Sequence, residues 1–220
     1  MIIAEIGQNH VGDMSLAKKL ILSAKECGCD LAKFQLFSSM AIYNVQLPQE
    51  LKFEQAKMLY QFGEDNGIEV FFSVFGLEYV DWCEKIGVKR YKIAATRQKK
   101  EVLEAVAKTK KPVIISQTRF ELLDNLFQDV QYMYCVPKYP ADLKDINFGM
   151  IYMMGGFSDH TLGIFASQVA LARGTSLIEK HFRLIDNPRN NDFGHSITPP
   201  EMAELVQFHN KCREVYRRQI

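Results

Sequence analysis

Short β-type runs alternate with amphipathic helical stretches along this chain, and that alternation limits the fold more than any other feature. A strand that is followed by a helix, and then by another strand, gives parallel strands joined by right-handed crossovers. Eight such units close into a (β/α)8 TIM barrel, and 220 residues lie near the lower end of the length of that fold. The predicted strands are Ile2–Ile6, Leu31–Leu36, Glu69–Val74, Arg90–Ala94, Val113–Ser116, Tyr132–Val136, Gly156–Ser158 and Ser176–His181.

Helical patterns follow most of these strands. The first is preceded by Asp13-x-Ser15, whose side chains are suited to an N-cap. No linker or low-complexity stretch interrupts the sequence, so we expect residues 1–220 to form a single compact barrel domain. An open doubly wound sheet is the alternative. No Gly-x-Gly-x-x-Gly follows the first strand, so a dinucleotide-binding form of that sheet has little support.

The composition excludes several classes of partner. A formal net charge of +1 gives no electrostatic reason to expect nucleic acid or an anionic membrane. No apolar run is long enough to cross a bilayer, and the first residues lack the basic leader of a signal peptide. The five scattered cysteines are typical of buried free thiols, so we expect a cytoplasmic protein.

Two histidines lie where the last two predicted strands give way to polar sequence. They are His160, in Ser158-Asp159-His160-Thr161, and His181, in Glu179-Lys180-His181-Phe182. Neutral imidazole and carboxylate are ligands that a borderline divalent cation prefers. If the two strands are neighbours, the sequence predicts a metal site between them, at the barrel end where active residues lie. For either histidine alone, a hydrogen-bonded structural role is the alternative.

Basic side chains occupy two of the predicted strands. Lys33 and Gln35 share one face of the second strand, and Arg90 and Lys92 share one face of the fourth. A lysine inside an apolar barrel is costly unless it meets an anion. With the hydroxyl of Ser116 at the end of the fifth strand, this pattern predicts a phosphate or carboxylate site. An edge salt bridge is the alternative for a single lysine.

These residues lie in segments that resemble a known family. The segments 4–13 (AEIGQNHVGD) and 32–35 (AKFQ) resemble the opening of the sialic acid synthase (N-acetylneuraminate synthase) family, and 91–93, 111–116 and 135–140 resemble its middle. The segments 158–161 and 179–182 resemble its end. The resemblance implies a (β/α)8 barrel and a transferase that condenses phosphoenolpyruvate with an aldose such as N-acetylmannosamine. The products would be a 2-keto-3-deoxy sugar acid and phosphate.

The resemblance also implies a role for each matching residue. Glu5 would be the carboxylate near the reacting carbons, and Asp192 would contact the sugar. His160 and His181 would hold a divalent ion, usually Mn²⁺, with Mg²⁺ or Co²⁺ as alternatives. Glu179 would be either a partner of a ligand or a further ligand. Phosphoenolpyruvate would be held by Lys33, Lys92, Ser116 and Ser158, and Tyr139 would line the sugar site. Apart from these matches, we also expect Gln35 and Arg97 to bind substrate.

The chain departs from the family pattern at several positions. Val74, Ala95 and Pro137 replace residues that offer a hydroxyl or an amide to phosphoenolpyruvate, and Arg97 replaces an acidic residue. Arg97 and Lys138 suit either an anionic acceptor or a replacement of the lost phosphoenolpyruvate ligands. The family's C-terminal antifreeze-like domain has no counterpart here, although family members dimerise and a homodimer is implied. The rival hypotheses are a non-catalytic sugar-binding barrel and another metal-dependent barrel enzyme, such as an aldolase or isomerase.

Overall fold

A computed structural model describes residues 1–123 and 125–217, and within them eight parallel strands form a closed barrel. Each strand pairs with the next along the chain, and the last pairs with the first, which confirms the predicted (β/α)8 class. Closure means that the strands end at a common rim. The strands are β1 (Ile2–Glu5), β2 (Leu31–Leu36), β3 (Glu69–Val74), β4 (Tyr91–Ile93), β5 (Val113–Gln117), β6 (Val130–Cys135), β7 (Gly156–Asp159) and β8 (Leu177–His181).

The predicted strands match these closely, except that β4 is shorter than expected. Arg90 lies just before β4, where its guanidinium donates to the carboxylate of Glu69 (Nε–Oε1 2.6 Å) at the start of β3. Arg90 therefore lies outside β4, at the N-terminal end of the barrel, where it has a carboxylate partner. Lys92 is the basic residue within β4, and the shared face of the two side chains stays a prediction.

The helices lie outside the barrel and bury its outer face. In the described residues they are α1 (Met14–Glu26), α2 (Ser39–Tyr43), α3 (Phe53–Asn66), α4 (Leu77–Ile86), α5 (Lys100–Lys108), α6 (Phe148–Met154), α7 (Phe165–Ala172) and α8 (Pro199–Arg217). The carboxylate of Asp13 accepts from the backbone N–H groups of Ser15 and Leu16, as the predicted N-cap requires. None of the described helices is long and apolar enough to cross a membrane.

The connection between β5 and β6 departs from the regular alternation. Two helices, α2 and α3, follow β2, whereas the described part of the β5–β6 connection (118–123 and 125–129) contains no helix. Phe120, Leu123 and Phe127 pack this connection against the apolar core outside the barrel in place of a helix. The Gln117 side chain bonds both backbone polar groups of Glu121, which closes the turn after β5.

The barrel interior has two layers, and the alternation of side chains along each strand separates them. The lower layer is apolar and fully buried. Each of its members lies two residues before a polar or cysteine side chain on the same face of its strand, so the polar layer lies directly above it, at the C-terminal rim. The apolar layer comprises Ile3, Leu31, Phe71, Ile114, Met133 and Leu177.

Candidate active site

A cavity of about 360 Å³ opens at the C-terminal ends of the strands. The apolar layer below closes its floor, so the cavity is a pocket and not a channel. Every site residue that the sequence predicted lines this one cavity, although their individual roles stay predictions. These residues are Glu5, Lys33, Gln35, Lys92, Arg97, Ser116, Tyr139, Ser158, His160, His181 and Asp192.

Strand register explains why they meet. Glu5 pairs with Lys33 on one side and with His181 on the other, so these three lie in one row across β2, β1 and β8. Ser158 pairs with Glu179 across β7 and β8, which are neighbours as expected. Sequence positions more than 170 residues apart therefore reach one site because the barrel closes between β8 and β1.

One end of the cavity holds a buried network of alternating charges. The Lys33 ammonium lies 2.7 Å from Glu5 Oε2 and 3.3 Å from Glu179 Oε2, and it donates to Ser73 Oγ at 2.9 Å. The Lys92 ammonium donates to Ser116 Oγ at 2.5 Å and lies 3.8 Å from Glu179 Oε1. The two buried lysines are therefore charge-compensated by carboxylates, as burial of charge requires.

The two carboxyls of the network have pKa values that are shifted in opposite directions. Burial raises the pKa of Glu5, and the Lys33 charge only partly opposes this. Burial also acts to raise the pKa of Glu179, but Lys33 and Lys92 outweigh it and lower that pKa to about 2. Glu179 is therefore the fixed anion of the network, whereas Glu5, with its raised pKa, is the carboxyl that takes up a proton more readily.

Hydrogen bonds also fix the position of Glu5. Gln35 Nε2 donates to Glu5 Oε1 at 2.6 Å, so the two predicted residues are direct partners. Ser158 Oγ donates to Glu179 Oε1 at 2.8 Å on the other side of the network. Gln35 and Ser158 thus orient the two carboxylates, whatever ligand they also contact.

The other end of the cavity is a cluster of imidazole rings. The ring centroids of His160 and His181 are 5.8 Å apart, and a third histidine, His195, lies 4.5 Å from His181. Tyr139 packs on this cluster, with its ring 4.2 Å from that of His160 and 5.1 Å from that of His195. The aromatic contacts place Tyr139 at the boundary between the cluster and solvent.

The three histidines are neutral near pH 7. Burial lowers the pKa of His160 and of His195 to about 4 each, and burial together with the neighbouring imidazoles lowers the pKa of His181 well below its ordinary value. Burial raises the pKa of Asp192 to about 7. Neutral imidazole is the form that binds a metal ion, so the cluster is ready to act as a donor set.

The donor atoms fit a divalent metal ion. His181, Asp192 and His195 each offer a ligand atom, and these atoms lie within 4.8 Å of one another. His181 Nδ1 and His195 Nε2 are buried, and neither has a hydrogen-bond partner in the structure. Buried polar atoms are nearly always satisfied, so two such nitrogens beside a carboxylate are suited to a cation. This group includes His181, one of the two predicted ligands.

The other predicted ligand, His160, lines the same cavity but lies outside this group of donor atoms. Its Nδ1 lies 2.7 Å from the backbone carbonyl of Val136 and its Nε2 lies 3.4 Å from Ser158 Oγ. His160 is therefore the member of the imidazole cluster that Ser158 connects to the charged network.

A glycine brings Asp192 to the site. Gly7 has φ +51°, and a Cβ at this position would lie 2.4 Å from Asp192 Oδ2. The next backbone N–H, that of Gln8, donates to the same oxygen at 2.7 Å. The loop after β1 can hold the Asp192 carboxylate this closely only because residue 7 has no side chain.

Two residues of the site were missed in the sequence. Ser73 contacts Lys33 and lines the cavity, whereas Val74, which replaces a family residue that offers a hydroxyl or an amide, packs in the apolar core between the barrel and the helices. The one-residue difference follows from strand alternation, since Phe71 and Ser73 face inward. His195 was also missed, although its position three residues after Asp192 was a signal.

Two cations outside the barrel strands, Lys138 and Arg97, differ in whether a carboxylate already pairs with them. The ammonium of Lys138 is exposed and pairs with Asp142 and with Asp145 (3.2 Å). Arg97, in the 3₁₀ turn Ala95–Arg97, lines the cavity with its guanidinium 5.6 Å from the Phe75 ring, and its Nε has no hydrogen-bond partner in the structure. Arg97 is thus the cation that is free to meet a ligand.

The chain is a (β/α)8 barrel protein whose buried, charged cavity lies at the C-terminal rim of the barrel. The NeuB family profile matches residues 43–219, so the chain belongs to the NeuB family. Its relatives are sialic acid-type synthases, which are transferases that form carbon–carbon bonds.

Individual relatives agree with this assignment. An N,N'-diacetyllegionaminic acid synthase of Legionella pneumophila is 30% identical, over 94% of this chain and 70% of the relative. The human N-acetylneuraminate-9-phosphate synthase is 30% identical, over 94% of this chain and 68% of the relative. The crystal structure of an N-acetylneuraminic acid synthetase from Leptospira borgpetersenii in complex with citrate superposes with a TM-score of 0.89 at 27% identity, over 98% of this chain and 84% of the other.

Proposed function

We propose that this chain condenses phosphoenolpyruvate with an aldose and releases phosphate. The observation that carries the proposal is that one cavity joins a buried lysine–carboxylate network to an imidazole cluster. The first feature suits an anionic three-carbon substrate, and the second suits a metal beside a carbonyl. The synthases named among the relatives support the same reaction class.

Phosphoenolpyruvate binds at the lysine end. Lys33 and Lys92 supply charge-assisted hydrogen bonds, and Ser73 and Ser116, which now accept from them, are in reach of the same ligand. Because Glu5 and Glu179 already balance the two lysines, the phosphate needs a further cation. Arg97 meets that need.

The reaction joins C3 of phosphoenolpyruvate to the aldehyde carbon of the open-chain aldose. The alkoxide that forms at the former aldehyde oxygen takes up a proton, and the electron-deficient C2 takes up water. The tetrahedral intermediate then breaks its C2–O bond to phosphate while its C2 hydroxyl loses a proton, which gives the keto group and releases phosphate. Glu5 accepts the proton of that water, since its pKa is raised and its carboxylate is oriented by Gln35. The Lys33 ammonium lies beside Glu5 and holds that carboxylate and the bound phosphoenolpyruvate in position relative to each other.

The aldose binds at the imidazole end, between Tyr139 and Asp192. His181 would be a ligand of a divalent ion at this end, Mn²⁺ by resemblance, and that ion would supply polarisation of the aldehyde oxygen. The acceptor is an unphosphorylated amino sugar, because Lys138 is already paired and Arg97 is assigned to phosphoenolpyruvate.

We assign the protein to the cytoplasm, where its free cysteines stay reduced.

Phosphate release tests the proposal. Purified protein is incubated with phosphoenolpyruvate, Mn²⁺ and either N-acetylmannosamine or its 6-phosphate, and inorganic phosphate is measured over time. We expect release that requires the aldose, stops with a chelator and is faster with the neutral sugar. Glu5→Gln should lower kcat at least 100-fold, since general base catalysis contributes about 10²–10⁴-fold.

Each other result has a defined reading. Aldose-dependent release that is unchanged by the chelator would remove the metal from the reaction. No release with any aldose, despite binding of phosphoenolpyruvate, would support a non-catalytic barrel instead. A preference for the 6-phosphate would assign Arg97 to the acceptor.

A further inference from the structure

The imidazole cluster contains one more donor than the resemblance requires. The predicted ligands are His160 and His181, but the group whose ligand atoms lie within 4.8 Å of one another consists of His181, Asp192 and His195. All three side chains are buried. The position of the third histidine therefore bears on which metal ion the cavity selects.

The separations of the donor atoms in this group are close to those found around a bound ion. His181 Nδ1 and Asp192 Oδ2 are 3.6 Å apart. Two ligands of a tetrahedral ion, with bonds of about 2.0–2.1 Å, are separated by about 3.4 Å. His195 Nε2 is buried without a hydrogen-bond partner in the structure, and the ring lies 4.5 Å from that of His181. A small contraction of the group would complete the coordination.

Hydrogen bonds outside the cavity hold the loop that carries His195. His195 ends the 3₁₀ turn Phe193–His195, and Ser196 Oγ donates to the carbonyl of Asp192 at 2.6 Å. Asn9 Nδ2 donates to Ser196 Oγ at 2.8 Å, which ties the loop to the segment after β1. Asp192 and His195 are therefore held in position by bonds that do not involve the cavity.

We propose that His195, with Asp192 and His181, forms a three-ligand metal centre of two imidazoles and one carboxylate. This inference deepens the proposed function and rests on it for the role of the ion, although binding itself does not depend on catalysis. Three protein ligands leave positions open for substrate. Two nitrogen donors favour a first-row transition ion over Mg²⁺, which prefers oxygen ligands and retains water.

Metal binding tests the inference directly. Metal-free protein is titrated with Co²⁺, and affinity is measured by calorimetry together with the visible absorption of the bound ion. The variants are His195→Ala and the control His209→Ala, since both histidines are 4% exposed and His209 lies far from the cavity, beside the Met1 amine. We expect at least a 10-fold loss of Co²⁺ affinity in the first variant and no change in the second.

A second variant covers the case in which the first does not fold. His195→Cys replaces a nitrogen ligand with sulfur, so a thiolate-to-cobalt charge-transfer band, absent in the unsubstituted protein, should appear in the ultraviolet. Wild-type Co²⁺ affinity and spectrum in a folded His195→Ala protein, or no new band in His195→Cys, would overturn the assignment. Mg²⁺ binding as tight as that of Co²⁺ would also overturn it.

Failure of the metal centre and failure of the proposed reaction are distinguishable. Loss of Co²⁺ affinity in His195→Ala, combined with no phosphate release by the wild type, would retain the centre and reject the condensation. Metal-dependent phosphate release by the wild type, combined with an unchanged affinity in His195→Ala, would retain the reaction and reject His195 as a ligand.

Discussion

Replacing Lys33 with methionine should destabilise the barrel strongly, because it leaves two buried carboxylates without their shared cation. The Lys33 side chain is 4% exposed, and its ammonium lies 2.7 Å from Glu5 and 3.3 Å from Glu179. Removing one partner of a buried ion pair costs about 3–5 kcal/mol. At about 2–4 °C per kcal/mol for a domain of this size, the midpoint of thermal unfolding should fall by about 6–20 °C.

The loss should depend on pH in a defined direction. Without Lys33, the pKa of Glu5 in the folded protein rises further above its ordinary value, because burial is no longer opposed by the ammonium. A carboxyl with a raised folded pKa binds its proton more tightly in the folded state, so its destabilising effect grows as the pH rises. The free energy of unfolding, measured in urea, should therefore differ more between variant and wild type at pH 8 than at pH 5.

Two further proteins make the experiment specific. Lys89→Met removes a cation that lies 2.6 Å from Glu64 at the surface, and it should leave stability almost unchanged. Adding Glu5→Gln to Lys33→Met removes the carboxylate that has lost its cation, since Glu179 keeps Lys92 at 3.8 Å, and it should restore part of the lost stability. If Lys33→Met cost no more than Lys89→Met, or cost the same at both pH values, the charge network would not have the energetics inferred here.

Two other predictions concern the loops around the cavity. Gly7→Ala should lower the free energy of unfolding by at least about 1 kcal/mol more than Gly87→Ala, measured in urea; both glycines have positive φ (+51° and +86°), but only at residue 7 would the new Cβ meet an atom, 2.4 Å from Asp192 Oδ2. An equal cost for the two would show that this close approach is unimportant. Arg97→Gln should raise the KM for phosphoenolpyruvate about 10–100-fold with little change in the KM for the aldose, since one charge-assisted hydrogen bond contributes about 1.5–3 kcal/mol; the opposite split would place Arg97 on the acceptor.

The strands were predictable because their buried side chains leave a clear pattern. Leu31–Leu36 and Glu69–Val74 were predicted to the residue, since both are continuous apolar runs interrupted only by the polar residues of the cavity. The rule that barrel sites lie at the C-terminal strand ends then selected Lys33, Lys92 and His181. Composition and order along the chain carried this information without tertiary contacts.

The differences arose where tertiary packing decides. The β5–β6 connection is long enough for a helix, but its described residues, 118–123 and 125–129, contain none, and Phe120 and Phe127 cover the barrel there. Val74 lies on the apolar face of β3, and Ser73 lies on the polar face. Only the register of Ser73 with Lys92 shows which of the two side chains faces the ligand. A resemblance transferred by sequence position cannot resolve a shift of one residue, because strand alternation reverses the direction of the side chain.

His195 shows what position-by-position transfer from a family leaves out. The transfer assigns roles only where a residue matches, so it gave Asp192 a contact with the sugar and gave His195 nothing. In the folded chain, the 3₁₀ turn and the Ser196 bond bring both side chains to His181, and the carboxylate becomes a candidate ligand. A site that gains a nitrogen donor in this way can keep the chemistry of its relatives and change the metal that supports it. In the proposed centre, the metal preference is set by His195 in the loop after β8, which the shared strand motifs do not determine.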